Sequence, residues 1–456
     1  MSGNFLIIGG SDAGISAALR VRELKPEMTV TLVVADAYPN FSICGLPFFL
    51  SGEVTHWRNL AHRTRADIEA EGIHLLLDHR AEAVDPEKRT ATVVGSDGER
   101  RELAWDQLLV GTGAVSARPK IDGLDRDGVF FLRWMDDSFA VKRFLEERKP
   151  ESAVIVGAGY IGMEMADALT FRGIQTTVVE YGPRALPTLD PELSAIIRKT
   201  LENHGVRVAT GVAVERIEES GNRLVVHGPD GFSAEGQLVL VATGGRPETA
   251  LAVSAGAELG VGGAIRVNRR METGVPGIYA AGDCVETWHR LLQKPVYLPL
   301  GTTAHKQGRV AGENAAGGTA EFAGSLGTQS VKIFDKVAAR TGLRDDEARA
   351  EGFDPLSVDL ESWDHKVYFP GAKSMVLRVS GDRNSGKLLG AQIVGAYGTE
   401  VSKRIDIFAA ALYHGMTVAE MSDLDLSYTP PLSSPWDPVQ MAAQAWEKAR
   451  REGKET

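Results

Sequence analysis

Apolar and polar positions change their period several times along the chain. Residues 4–8, Asn-Phe-Leu-Ile-Ile, form a short apolar run of strand length. A glycine-rich turn follows, and the spacing from Ile15 to Leu24 is that of a helix. The β-branched run Thr-Val-Thr-Leu-Val-Val at 29–34 completes a β-α-β unit. The same order returns over 153–180, where strand, glycine turn and helix lead to Thr-Thr-Val-Val-Glu. Two copies about 150 residues apart predict two nucleotide-binding domains and are too few for a solenoid.

From about residue 325 the pattern changes. Strand-like pieces at Ser330–Phe334, Ser374–Val379 and Leu388–Val394 alternate with turns. A helical pattern at 400–414 and a Pro-rich segment, Tyr428–Pro438, follow. The expected fold class is α/β: two Rossmann-like dinucleotide-binding domains plus a C-terminal α+β domain. Residues 1–115 and 245–324 are assigned to the first, discontinuous domain, 116–244 to the second and 325–445 to the third. Residues 446–456 are read as a charged tail, with fraying expected from Ala442 onward. No low-complexity linker separates the pieces, so rigid packing is expected.

Composition narrows the class. A chain of 456 residues exceeds one compact core. With 43% hydrophobic and 24% charged residues it is ordinary globular protein, and 50 glycines suit a fold of many tight turns. The net charge of −11 argues against nucleic acid as a partner. The first strand has no basic segment before it, and no run of about 18 apolar residues occurs, so neither a signal peptide nor a membrane span is expected. The two cysteines, Cys44 and Cys284, match no zinc or disulfide framework. A cytoplasmic protein without a metal is expected.

The second turn reads Gly157-Ala-Gly159-Tyr-Ile-Gly162 between strand and helix. Gly157 permits the turn, Gly159 lets backbone approach a pyrophosphate, and Gly162 lets helix pack on strand. Glu180 lies 18 residues beyond Gly162, where a carboxylate accepts ribose hydroxyls and repels a 2′-phosphate, favouring NADH. Arg184 is close enough in sequence to temper that preference. The first turn, Gly9-Gly10-Ser11-Asp12-Ala13-Gly14, has Ser11 at the middle glycine. Its acid position holds Val34, with Asp36 two residues on as a substitute. A strand ending in Gly282-Asp283 places a carboxylate for a ribityl hydroxyl. The segments Gly111-Thr112-Gly113-Ala114 and Ala242-Thr-Gly244-Gly245 would lie at the junctions between domains.

With these motifs together, the chain resembles the pyridine nucleotide–disulfide oxidoreductases over nearly its whole length. It is most similar to their single-cysteine branch: coenzyme A-disulfide reductases, persulfide reductases, NADH oxidases and NADH peroxidases. The branch signature Ser-Phe-x-x-Cys stands here as Asn40-Phe41-Ser42-Ile43-Cys44. The segments Tyr368-Phe-Pro-Gly-Ala372, Gly390-Ala-Gln392, Lys403-Arg-Ile-Asp406 and Tyr428-Thr-Pro-Pro431 also resemble it. The resemblance implies FAD held by Gly9, Ser11, Gly14, Asp36, Ser42, Thr112, Gly113, Gly282, Asp283, Thr302, Thr303 and Ala304. It implies NADH, with NADPH as the alternative, on Gly157, Gly159, Tyr160, Ile161, Gly162, Glu164, Glu180 and Gly244. Tyr160 would cover the flavin and Glu164 would orient the nicotinamide. It further implies a homodimer in which Tyr428, with Tyr368, supplies a proton donor to the partner's site.

Five residues to either side of Cys44 stand Pro39 and Phe49, so Cys44 has no internal redox partner. It must cycle through a mixed disulfide, a persulfide or a sulfenic acid. Its place before Gly-Leu-Pro-Phe-Phe-Leu reads as a helix start, which favours thiolate. Cys284 reads as structural packing, and His305 as a structural histidine. Oxidase and peroxidase members carry a histidine in the first turn where this chain has Asp12. That residue is read mainly as a helix cap; an acid near Cys44 would raise its pKa. Arg20, Arg22, Arg58 and Arg63 are candidates for a phosphate-bearing thiol such as coenzyme A. The expected activity is NADH-linked reduction of a small disulfide, persulfide or polysulfide. A water-forming NADH oxidase or an NADH peroxidase, and a flavin-bound redox sensor with little turnover, are the alternatives.

Overall fold

The structure, a computed structural model, describes residues 3–453. The first domain is built on a five-stranded parallel sheet in the order Ile278–Ala280, Gln107–Val110, Asn4–Ile8, Thr29–Val33, Ile73–Leu76. Its central strand is covered on both faces, so Phe5, Leu6, Ile7 and Ile8 are all buried. Helix Asp12–Leu24 lies against helix Gly301–Ala315. The approach is close because Gly308 and Gly312 meet the backbones of Ala13 and Ala17, leaving no room for a Cβ. A three-stranded antiparallel sheet, His79–Asp85, Thr90–Gly95 and Arg100–Ala104, is added to this domain.

The second domain repeats the plan with a parallel sheet in the order Arg207–Thr210, Gln175–Glu180, Ser152–Val156, Leu238–Val241, Val129–Phe131. The chain leaves the first domain through Ala114–Ser116 and returns through Gly245–Pro247. These two crossings pair with each other as antiparallel strands.

The third domain is a five-stranded antiparallel sheet, Gln329–Ile333, Lys336–Gly342, Leu388–Ala396, Ser374–Asp382, Pro355–Trp363. Helices Val401–His414 and Pro438–Glu452 pack on it. The second of these corrects the expectation of fraying from Ala442. Val439, Ala442, Ala443 and Trp446 form a buried stripe at helical spacing, and Trp446 Nε1 donates to the Leu356 carbonyl at 2.7 Å. Its charged residues are the solvent face of an amphipathic helix rather than a tail.

Polar contacts join the second and third domains. Asp190 N donates to Gln392 Oε1 at 2.7 Å, and Gln392 Nε2 donates back to Asp190 Oδ2 at 2.6 Å. Arg378 reaches Asp190 at 3.2 Å and Asp345 at 3.1 Å, and Lys332 meets Asp167 at 2.8 Å. Each charge buried here has a counter-charge, which is the condition for burying it at tolerable cost.

Candidate active site

A cavity of about 2490 Å³ is lined by both glycine turns, by the cysteine segment around Cys44 and by Gly282-Asp283. The turns share one geometry. Gly9 has φ +113° and Gly157 φ +111°, and a Cβ at either would strike a carbonyl of the neighbouring strand end, Gly111 or Ala242. Side chains at Gly14 and Gly162 would strike the carbonyls of Gly9 and Gly157. A Cβ at Gly159 would meet nothing within 4 Å, so this position faces open space. The N-caps Ser11 and Gly159 make no side-chain capping bond, leaving the first N–H groups of two long helices free for an anion. This cradle fits a dinucleotide at each turn.

The acids beside the turns differ. Val34 is buried, and a Cβ on Gly10 would sit 2.5 Å from its Cγ2. Asp36 lines the cavity and accepts the Tyr38 N–H at 2.8 Å; burial pushes its carboxyl up. Glu180 lines the cavity and accepts from Ala158 N at 2.6 Å and from Gly182 N at 2.7 Å.

Cys44 sits in the 3₁₀ turn Ile43–Gly45 and is exposed to the cavity. Cys284 is fully buried, with its sulfur 3.4 Å from the Ala281 carbonyl oxygen, and its thiol is pushed up to about 11. It is a packing residue. The favoured thiolate expected from a helix start is not found at Cys44. The following helix, Leu46–Ser51, has six residues, and Cys44 precedes its N-cap. Burial, Glu164, Asp12 and Asp283 all push the thiol up, with Arg133 opposing.

Asp12 is the first residue of helix Asp12–Leu24, and Ser11 holds the N-cap, so Asp12 is not the expected cap. It lines the cavity, and its carboxyl is pushed up by burial and by Asp283, against His62 and His305. His305 pairs through Nδ1 with Ser16 Oγ at 2.7 Å. Glu164 is pushed up to about 7, by burial first and then by Asp167. Tyr160 lines the cavity with its hydroxyl 3.4 Å from Thr188 Oγ1.

Asp283 is held by Arg133, Nη2 to Oδ2 at 2.6 Å, and its carbonyl accepts the Tyr297 hydroxyl at 3.0 Å. Arg133 escaped sequence reasoning, since 150 residues separate the pair. Its buried Nε has no partner among the described residues.

Ser42, Thr112, Gly113, Ile161, Gly244, Gly282, Thr302 and Ala304 all line the cavity. Thr303 does not: it is buried, and its hydroxyl bonds Ser325 Oγ at 3.2 Å. Of the four arginines, only Arg63 reaches the lining, beside His62. Arg20 is held by Glu313 at 2.5 Å and Glu23 at 2.8 Å. Arg22 donates to the carbonyls of Glu71, Pro26 and Met28. Arg58 lies 4.5 Å over the Trp57 ring. Arg184 is also absent from the lining and lies 3.7 Å from Asp346. Tyr368 and Tyr428 are 73% and 44% exposed on the third domain, outside the cavity. Desolvation and the neighbouring Tyr368 hydroxyl raise the Tyr428 phenol. Among the described residues no helix is long and apolar enough to cross a membrane.

Known proteins share this arrangement. Residues 3–308 match the family described as pyridine nucleotide-disulphide oxidoreductase, and residues 328–438 match its dimerisation domain. The NAD(P)H sulfur oxidoreductase (CoA-dependent) of Pyrococcus furiosus is 35% identical, over 96% of this chain and 98% of its own. A protein named NADH oxidase from Methanocaldococcus jannaschii is 33% identical, over 96% of this chain and 97% of its own. The structure of a NAD-dependent persulfide reductase from A. fulgidus superposes with TM-score 0.94 at 36% identity, covering 99% of this chain and 84% of that one. With two matched glycine turns, one cavity-facing cysteine and agreement from end to end, the chain belongs to the pyridine nucleotide-disulphide oxidoreductases.

Proposed function

We propose that the chain is an FAD-dependent NAD(P)H oxidoreductase that reduces a low-molecular-weight disulfide or persulfide through Cys44. One observation carries this reading: Cys44 opens onto the cavity that both glycine turns line, whereas Cys284 is sealed in the core. FAD, when bound, supplies the two-electron relay between nicotinamide and sulfur. The free N–H groups behind Ser11 hold its pyrophosphate, Asp36 replaces Val34 at the ribose, and Asp283 holds the ribityl chain. The turn Gly157–Gly162 holds the nicotinamide dinucleotide, Tyr160 shields the site from water and Glu164 orients the nicotinamide.

Cys44, as thiolate, attacks a sulfur of the substrate; one sulfur–sulfur bond forms, another breaks, and the departing sulfur takes a proton. Two electrons from NAD(P)H then cleave the new bond, which restores Cys44 as thiolate and releases the sulfur it held, protonated, as the second product. Arg133 is the cation that favours the thiolate during this cycle. The chain acts as a homodimer, and Tyr428 with Tyr368 donates a proton at the partner's cysteine. Their exposure outside the cavity of their own chain supports that arrangement.

The relative named NADH oxidase supports a second reading, oxygen reduction. Asp12 weighs against it, because it stands where the oxidase members carry a histidine. NADH consumption is to be followed with and without oxygen. The substrates are coenzyme A disulfide, coenzyme A persulfide, glutathione disulfide and polysulfide. The reductase reading requires consumption that depends on one of these and disappears in Cys44→Ser. Consumption in air alone, unaffected by them, supports the oxidase and refutes the reductase. No turnover with any of them refutes both and leaves a redox sensor.

A further inference from the structure

The nicotinamide half of the cavity contains a carboxylate that the backbone holds in place. Glu180 ends strand Gln175–Glu180, and its two oxygens accept one N–H each, from Ala158 in the glycine turn and from Gly182. The carboxylate is thus fixed to the turn that faces a pyrophosphate. Each oxygen retains capacity for a second donor. A ribose diol offers two such donors. A 2′-phosphate offers acceptors and roughly two negative charges at the same place.

The arginine that would answer that phosphate is turned away. Arg184 lies four residues past Glu180, yet it is absent from the cavity lining. Its Nη2 is 3.7 Å from Asp346 Oδ2 on the third-domain helix Asp345–Ala350. The same oxygen is 3.1 Å from Arg344, so Asp346 anchors two arginines. The arginines and lysines that do line the cavity are Arg63, Arg80, Lys120, Arg133 and Lys306. Arg133 is held by Asp283, and none of the five belongs to the loop after Glu180. Lys120, near the crossing between domains, is the remaining competitor for a phosphate in this half.

An acid in the place of Glu180 accepting the ribose diol is the ordinary arrangement of a dinucleotide site; we infer that Asp346 strengthens the resulting selectivity for NADH over NADPH by withholding Arg184. Asp346 is a positioning residue that acts from a different domain. The inference rests on the proposed function only in taking the second turn as a dinucleotide site.

The test uses the flavin-loaded enzyme and the non-reducing tetrahydro analogues of NADH and NADPH, with affinities measured by calorimetry without turnover. Wild type should bind the NADH analogue at least about tenfold more tightly, the scale of one unfavourable charge contact. Glu180→Ala should weaken the NADH analogue and narrow the gap. Asp346→Asn and Asp346→Ala should each tighten only the NADPH analogue, lowering the KM for NADPH while kcat with NADH stays unchanged. Equal affinities in wild type would overturn the inference. So would a gap that stays unchanged in both Asp346 variants, whether or not it closes in Lys120→Ala. Failure to bind either analogue would instead overturn the function proposed for the turn.

Discussion

Replacing Glu164 by glutamine tests how the cavity treats charge. Glu164 stands on helix Tyr160–Phe171, faces the cavity, and is pushed up from 4.5 to about 7, first by burial and then by Asp167. That interval corresponds to at most about 3 kcal/mol between its protonated and ionised forms, less whatever water in the cavity screens. The sign follows from proton binding. Between pH 4.5 and about 7 the folded protein holds the Glu164 proton more often than the unfolded chain does. Stability therefore falls as pH rises through that window, and the full cost stands above it. Glutamine cannot ionise and carries no such cost. Urea denaturation of flavin-free wild type and Glu164→Gln should show the variant gaining on wild type between pH 5 and pH 8, by up to about 3 kcal/mol. The same substitution removes a charge that pushes the Cys44 thiol up, so the pH midpoint of Cys44 alkylation should fall. A constant stability difference between variant and wild type at all pH values, with an unmoved alkylation midpoint, would refute the account of Glu164 as a desolvated acid beside Cys44.

Asp12→Asn should also lower the alkylation midpoint of Cys44; a midpoint that stays put would remove Asp12 from the thiol's surroundings. Gly162→Ala drives a methyl group into the Gly157 carbonyl and should abolish coenzyme binding along with local stability, whereas Gly159→Ala has room and should weaken binding alone. Calorimetry paired with thermal melts separates the two, and equal melting losses would contradict the geometry. Trp446→Ala should cost about 3–5 kcal/mol in the third domain, read by urea denaturation; a loss below about 1 kcal/mol would mean that the helix is peripheral.

Much of the fold was legible because its signals are local. A strand, a glycine turn and a helix are read within about 20 residues, so strand Asn4–Ile8 and helix Val401–His414 lie where the periodicity put them, within a residue or so. Cys44 was legible through its signature, and its separation from Cys284 by the absence of any shared pattern. The last helix was misread although its signal was present: Val439, Ala442, Ala443 and Trp446 recur at three- and four-residue spacing beneath conspicuous charges. What sequence could not supply was the destination of long side chains. Arg20 finds Glu313 across 293 residues, Arg133 finds Asp283 across 150, and Arg184 finds Asp346 on another domain. A charge shows in sequence, but its counter-charge is chosen by the fold.

The paired crossings, Ala114–Ser116 against Gly245–Pro247, have a mechanical consequence. Entry and exit of the second domain are hydrogen-bonded to one another, so both passages of the chain run through one two-stranded stalk. A stalk of this kind bends more readily than it stretches. What limits the bending is packing on two sides: helix Leu46–Ser51 of the first domain against helix Tyr160–Phe171, and Asp190 clasped by Gln392 and Arg378 of the third. The pivot belongs to the first domain, and the restraint is shared by the first and the third. Loosening the third-domain clasp should therefore remove one of two restraints on a domain whose own sequence is untouched.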